Sequence, residues 1–118
     1  MNQFPDANIA GALILLVSGV FVLVKPRWMA MIIHGEGSAR FMAELRVNFG
    51  GFWIGLAATA LLINQPIGYI VLGGGWLGIV LARLASYVID RPQQMRWYWL
   101  LLAGEIVTAA LLLTGLLP

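Results

Sequence analysis

The sequence lacks cysteine altogether and has a single histidine, His34, among its 118 residues. Without cysteine, disulfides, thiolate catalysis and the cysteine-based zinc and iron–sulfur sites are excluded. One histidine argues against a haem or a histidine-cluster metal site within one chain. His34 is therefore expected to be an ordinary residue at the membrane surface, and neither a metal nor a cofactor is predicted.

Charge is also scarce. Charged residues make up 10% of the chain and hydrophobic residues 61%, with a mean hydropathy of +0.90. A soluble domain is about 45–50% apolar and about 25% charged, so this composition is typical of an integral membrane protein. A spanning helix needs about 20 apolar residues, which leaves no length for a separate soluble domain. The basic pI near 9.5 is attributed to residues at membrane boundaries, and no nucleic-acid partner is predicted.

Long apolar stretches predict an all-α fold: an integral membrane, antiparallel four-helix transmembrane bundle that forms a single domain over residues 1–118. The spans are predicted at about residues 7–24, 39–63, 67–89 and 96–116. Asp6 or Asn8 is expected to cap the first helix and Ser38 the second, because such side chains accept from exposed N–H groups. Residues 28–35 are apolar but too short to span, and are expected to form a short helix or loop on the membrane surface.

Basic residues indicate the orientation of these spans. They all fall on one side of the predicted hairpins: Lys25, Arg27, Arg40, Arg46, Arg83, Arg91 and Arg96. The opposite side holds the two chain ends and the turn at Asn64 and Gln65, with no Lys or Arg. Because short cytoplasmic loops carry the excess of basic residues, both termini are predicted to be periplasmic, in the inner (cytoplasmic) membrane of a bacterium.

A cluster of polar side chains is predicted in the inner half of the membrane. Its members are Glu44, Arg46, Asn48, Arg83, Ser86, Tyr87, Asp90 and Glu105. The four on the third span, from Arg83 to Asp90, share one helical face. Since a lone carboxylate in the bilayer is costly, Glu105 is predicted to lie within salt-bridge reach of Arg83 or Arg46. Two interpretations stay open: the charges fix helix register and topology, or they form a ligand-binding site. No catalytic residue is predicted.

Small residues are predicted to be sites of close helix packing. In the later spans they are Gly50, Gly51, Gly55, Gly74 and Gly78, and in the first span Gly11, Ser18 and Gly19. Gly74 and Gly78 form a GxxxG pair that is expected to contact a helix of this chain or of a neighbour. The run Gly73–Gly75 is not a nucleotide loop, because no strand precedes it and no GK[ST] follows. Trp53 and Trp76, near mid-membrane, are expected in the core, facing lipid, or lining an apolar ligand pocket.

Several short motifs resemble those of a known family. They are Glu44-x-Arg46, Gly50-Gly51, Arg83-x-x-Ser86, Asp90-x-Pro92 and Glu105. The pattern resembles a bacterial family of small four-helix membrane proteins known only as a domain of unknown function, from about residue 35 to the end. A more distant similarity is to the four-helix family that includes the DoxX proteins. The first resemblance implies a fold and an inner-membrane location, and it implies no activity.

Two functions are compatible with the sequence. Small size, minimal loops and Gly-rich faces favour an accessory, assembly or stabilising subunit of a larger membrane complex. Arg46 and Arg83 beside aromatic residues favour the alternative, which is the binding or transport of an amphipathic ligand such as a quinone or lipid in an inner-leaflet polar cavity. The expected partners are the lipid bilayer and either other membrane subunits or a second copy of the chain. A lipid or quinone ligand is the further expected partner. Whether the protein is an enzyme is left open.

Overall fold

The computed structural model describes residues 5–32, 38–90 and 95–117, and within them the side chains other than those of residues 32, 40, 90 and 95–98. All the elements in this part of the chain are helical. They are α1 (Pro5–Val24), α2 (Pro26–Ile32), α3 (Ala39–Leu45), a π-helical segment (Arg46–Gly51), α4 (Phe52–Ile63), α5 (Pro66–Asp90), α6 (Met95–Leu112) and a 3₁₀ turn (Leu113–Leu116). The predicted all-α class is therefore confirmed. His34 and Pro92, with the motif Asp90-x-Pro92, lie outside the described residues.

Four helical stretches in the described residues are long and apolar enough to cross a membrane: Pro5–Val24, Phe41–Ile63, Pro66–Ile89 and Trp99–Leu116. The second of these joins α3, the π-helical segment and α4, whose junction residues all keep helical backbone angles. It is called here the second long helix (residues 39–63). Helices thus occupy each of the four sequence ranges predicted above.

The amide of Asn8 joins the two ends of the chain. α1 begins at Pro5, whose missing N–H and fixed φ suit the first turn of a helix. Asp6 and Asn8 therefore both lie inside the helix, and the expectation that one of them caps α1 is wrong. Its side chain is fully buried, and Nδ2 donates to the carbonyl of Leu111 at 2.9 Å and to Oγ1 of Thr114 at 2.9 Å. Leu111 lies in the last turn of α6, where carbonyls lack partners within the helix, and Thr114 lies in the 3₁₀ turn that follows.

Replacing Asn8 by Ala is expected to lower the free energy of unfolding by about 1–3 kcal/mol, since the buried carbonyl of Leu112 and the hydroxyl oxygen of Thr114 would lose the amide as donor. The matched control is Asn48→Ala, which removes an amide that is exposed. Thermal unfolding of both variants in a mild detergent checks this prediction. Equal melting temperatures for the two variants would show that the link between α1 and α6 adds nothing to stability.

One short helix, α2, lies between α1 and the second long helix, whose first segment α3 is capped by Ser38. Ser38 is confirmed as a cap, since its Oγ accepts from the N–H of Phe41 at 3.1 Å. Residues 28–32 belong to α2, which buries Met29 and Ala30 in a small apolar cluster. The cluster also contains Val22 of α1 and Met42 of α3, so α2 is held against the ends of both neighbouring helices.

The long helices pack as an open, flattened assembly. α1 packs against the second long helix on one side and α6 on the other, and α5 packs against α6, whereas α4 and α5 contact each other little. The Cα atoms extend over 45 × 31 × 16 Å. Asn64, in the left-handed conformation (φ 49°, ψ 47°), ends α4, and its Oδ1 accepts from the hydroxyl of Tyr69 at 2.8 Å. The helices α4 and α5 therefore meet at this hairpin and leave a groove between them.

Candidate functional site

Arg83 of α5 and Glu105 of α6 form a two-point ion pair. Nε and Nη2 of Arg83 donate to the two carboxylate oxygens of Glu105, and the Nη2–Oε2 distance is 2.7 Å. The side chains are 24% and 15% exposed. Such bidentate pairs are the stronger class of charge-assisted hydrogen bond. The predicted pairing of Glu105 is confirmed with Arg83, because the close packing of α5 on α6 brings the two side chains to one level.

Arg46 does not join this pair. Its Nε donates instead to the carbonyl of Leu23 at 3.1 Å. Leu23 lies in the last turn of α1, where backbone carbonyls receive no hydrogen bond from within the helix. Arg46 therefore caps that end of α1 from the neighbouring helix. Its predicted place beside the inner-leaflet cluster is therefore replaced by a role in holding α1 against the second long helix.

Glu44 and Asn48 form a separate, exposed pair one helical turn apart. Nδ2 of Asn48 donates to Oε2 of Glu44 at 2.9 Å and to its carbonyl at 3.2 Å. Residues four apart lie on the same side of a helix, which explains the contact. The predicted eight-residue cluster is therefore not one continuous network. Glu44 contacts Asn48, Arg46 contacts the carbonyl of Leu23, and Arg83 pairs with Glu105.

Ser86 and Tyr87 continue along α5 from the ion pair. Ser86 is half-buried one turn away. The ring of Tyr87 contacts the ring of Trp99 on α6, with centroids 5.0 Å apart and planes tilted by 52°. This contact fastens α5 to α6 beside the ion pair. The side chain of Asp90 lies outside the described residues.

Close packing by glycine is confirmed where α1 meets the second long helix. A Cβ atom at Gly50 would lie 3.0 Å from the backbone N of Leu23, and one at Gly19 would lie 2.9 Å from the carbonyl O of Gly50. Gly11 and Gly73 pack against the end of α6 and the 3₁₀ turn in the same way, since a Cβ at either would lie within 3 Å of a leucine side chain.

Other glycines do not pack within the chain. A Cβ at Gly51 would contact only its own helix, at 3.6 Å from the carbonyl O of Arg46. For Gly55, Gly74 and Gly78, no described atom outside the local helix lies within 4 Å of the added Cβ. The expectation that these three pack against a helix of the same chain is therefore wrong, and contact with a neighbouring chain stays a prediction.

A groove of about 1090 Å³ runs between α4 and α5. Among the described residues that line it, the charged ones are Arg83 and Glu105, and Asn48 and Thr59 are polar and uncharged. The remaining lining is apolar or glycine, and it extends to Ile67 at the hairpin end. Small-molecule sites usually measure about 300–1,000 Å³ and are mostly apolar with a few polar groups. The groove therefore has the size and lining of a ligand site, with its ion pair towards one end.

Trp53 and Trp76 form the wall of the groove. Their rings meet edge to face with centroids 5.8 Å apart, and Phe49 stacks on Trp53 at 5.4 Å. Both tryptophans also line a second cavity of about 440 Å³, which is bordered by α1 and α6. Glu105 borders both cavities as well. Trp76 is also buried in the hydrophobic core and Trp53 packs against that core, so the structure confirms both the core position and the lining of an apolar cavity.

Sequence reasoning missed the groove itself, because no single motif marks it. Thr59 and Phe52 line it, yet they resemble any other residue of an apolar helix. Gly55 and Gly75 also line it, and glycine in an apolar span is more often a sign of helix packing. Only the spacing of α4 and α5 shows that these positions face an open space.

Comparisons of the chain with protein-family models, with curated proteins and with solved structures found no match. The similarity to the small four-helix membrane family remains a prediction from the motifs.

Proposed function

We propose that this protein binds an amphipathic ligand in the groove between α4 and α5. The observation that carries the proposal is the combination of a long apolar lining with one ion pair, Arg83–Glu105, towards the end opposite the hairpin. An apolar tail can occupy the lining while a polar head hydrogen-bonds at the pair. Ionisable groups within membrane spans usually face a bundle interior or cavity and mark functional sites.

The protein is further proposed to lie in the inner membrane of a bacterium as an antiparallel bundle. Large apolar side chains cover its outer surface: Leu62 is 86% exposed and Ile89 is 78% exposed. Soluble monomers rarely expose extensive apolar patches, so a surface of this kind suits lipid. In this placement the groove opens sideways, and a ligand can reach it from the bilayer.

Both termini are expected on the periplasmic side, because the basic residues all lie at the other end of the helices. A reporter enzyme that is active only in the periplasm, fused after Pro118, should be active. A reporter that is active only in the cytoplasm should be active when inserted between Ile32 and Ser38. The reverse pattern would invert the orientation and move the ion pair to the outer leaflet.

Filling the groove tests the proposed binding function. Gly75 lines the groove, and an added Cβ there meets no described atom within 4 Å, so Gly75→Phe should place a ring in the groove without disturbing packing. The matched control is Gly74→Phe, because Gly74 is equally open but does not line the groove. Each protein is purified in mild detergent, and its retained small molecules are identified by mass spectrometry.

Wild type and Gly74→Phe are expected to retain a lipid-like molecule that Gly75→Phe has lost, with similar melting temperatures for all three. Equal retention by the two variants would show that the molecule binds elsewhere. If no protein retains a molecule, wild type included, the groove does not hold a ligand tightly and the proposal fails.

A second candidate function, an accessory subunit of a membrane complex, is favoured by a different observation. Gly74 and Gly78 are exposed, have open space beyond them and do not line the groove. Paired small residues at this spacing let another transmembrane helix approach closely. If this function holds, partner chains should co-purify with wild type at a fixed ratio and be lost from Gly78→Leu. A retained lipid without partner chains favours the ligand-binding function instead.

A further inference from the structure

We propose that the ligand of the groove is a neutral, long-chain lipid whose head carries a hydroxyl or carbonyl group. The head would lie at Arg83–Glu105, and the chain would follow the groove towards the hairpin at Asn64. This inference rests on the proposed binding function and names the chemical class of its ligand.

The charge of the site favours a neutral head. Arg83 and Glu105 carry opposite charges in a two-point pair, and among the described lining residues the other polar ones, Asn48 and Thr59, carry no charge. A phosphate or carboxylate head would approach the Glu105 carboxylate as closely as the guanidinium, and an ammonium head would meet Arg83. A hydroxyl can instead donate to Glu105, because a carboxylate has about four acceptor sites and keeps its pair with arginine.

The depth of the site also excludes the headgroup of an ordinary phospholipid. Arg83 lies about 10 Å inwards from the end of α5 at Asp90, at roughly 1.5 Å per residue. In the proposed membrane placement this position is within the hydrocarbon layer, whereas phosphate groups lie outside it. Drawing a charged head to that depth costs desolvation free energy. A hydroxyl or carbonyl head loses much less hydration free energy at that depth, and it gains a hydrogen bond to the ion pair.

The length of the groove favours a long chain. Arg83 and Ile67, both of which line it, lie about 24 Å apart along α5 by the same helical rise. Half of a hydrocarbon core is only about 15 Å thick. The groove is thus longer than one leaflet, and a single extended chain that passes the bilayer centre fits it better than the acyl chains of one leaflet.

The inference is tested with two probes that share one brominated hydrocarbon chain, a long-chain alcohol and the corresponding alkyl phosphate. Bromine quenches the fluorescence of nearby tryptophans, and Trp53 and Trp76 form the groove wall. Each probe is titrated into full-length Gly74→Phe and Gly75→Phe in lipid nanodiscs. Because non-specific quenching from the bilayer is common to both variants, the difference between them reports occupancy of the groove.

For the alcohol, we expect quenching in Gly74→Phe that is absent from Gly75→Phe, and for the phosphate we expect no difference. The double variant Arg83→Met with Glu105→Leu carries no other substitution and is compared with wild type. Its half-saturating alcohol concentration should be about tenfold higher, the effect of losing one hydrogen bond to a charged group. An alkyl phosphate that quenches as well as the alcohol overturns the neutral-head inference and leaves the binding function standing. If neither probe distinguishes the two variants, the binding function itself is overturned.

Discussion

Glu105→Gln is expected to lower the free energy of unfolding by about 1–3 kcal/mol, the cost of leaving a charged hydrogen-bonding group without its partner, because the ion pair is only partly buried. The side chain of Glu105 is 15% exposed, and its carboxylate receives two N–H groups from Arg83, whose side chain is 24% exposed. A glutamine at this position can still accept one hydrogen bond, but Arg83 loses the negative charge with which it forms the two-point pair. Equilibrium unfolding in mixed micelles measures the loss.

Two comparisons make this result specific. Glu44→Gln is the matched control, because Glu44 is exposed and should change stability by less than about 1 kcal/mol. The double variant Arg83→Met with Glu105→Leu should recover most of the lost stability, since replacing both members of a buried pair by apolar residues is often neutral. If Glu105→Gln unfolds like wild type, the pair does not stabilise the helices.

The double variant also separates the two interpretations of the charges that the sequence left open. Loss of the retained ligand from a stably folded double variant would show that the pair serves binding. Retention of that ligand, with unchanged partner chains, would show that Arg83 and Glu105 only set the register of α5 on α6.

Gly19→Ala is expected to lower the free energy of unfolding by about 1–3 kcal/mol or more through overpacking. The added Cβ would lie 2.9 Å from the carbonyl O of Gly50 and 3.1 Å from the backbone N of Ile54. Backbone atoms within a helix cannot move aside as a side-chain end can, so α1 and the second long helix must separate. Gly50→Ala acts on the same contact and should change stability in the same direction.

The control for this contact is Gly78→Ala, in which the same methyl group meets open space. Its free energy of unfolding as an isolated chain should be unchanged or slightly higher than that of wild type, because alanine is about 0.5–1 kcal/mol more favourable than glycine within a helix. Unfolding in mixed micelles compares the three variants. If Gly19→Ala and Gly78→Ala unfold alike, the helices can separate at Gly19 without cost, and the close approach does not contribute to stability.

The sequence by itself determined the helices and the ion pair. Apolar runs of spanning length predict helices, since a helix satisfies its own backbone hydrogen bonds. Ser38 was recognisable as a cap because its hydroxyl precedes an apolar helical run. Glu105 was expected to pair with Arg83 or Arg46, because an unpartnered carboxylate in an apolar interior is costly and both arginines reach the same depth on other helices; the structure shows that the partner is Arg83. These conclusions depend on composition, spacing and depth along a helix.

Only the tertiary structure decided which way each helix faces. The long helices of this chain are apolar on every side, so periodicity does not show which side of a helix meets its neighbours. Arg46 therefore could not be assigned to the carbonyl of Leu23, nor Asn8 to the end of α6, from the sequence. For the same reason Gly50 and Gly78 look alike in sequence, although one packs against backbone and the other meets open space. The groove likewise depends on the separation of α4 from α5 beyond their hairpin, a distance that no residue pattern encodes.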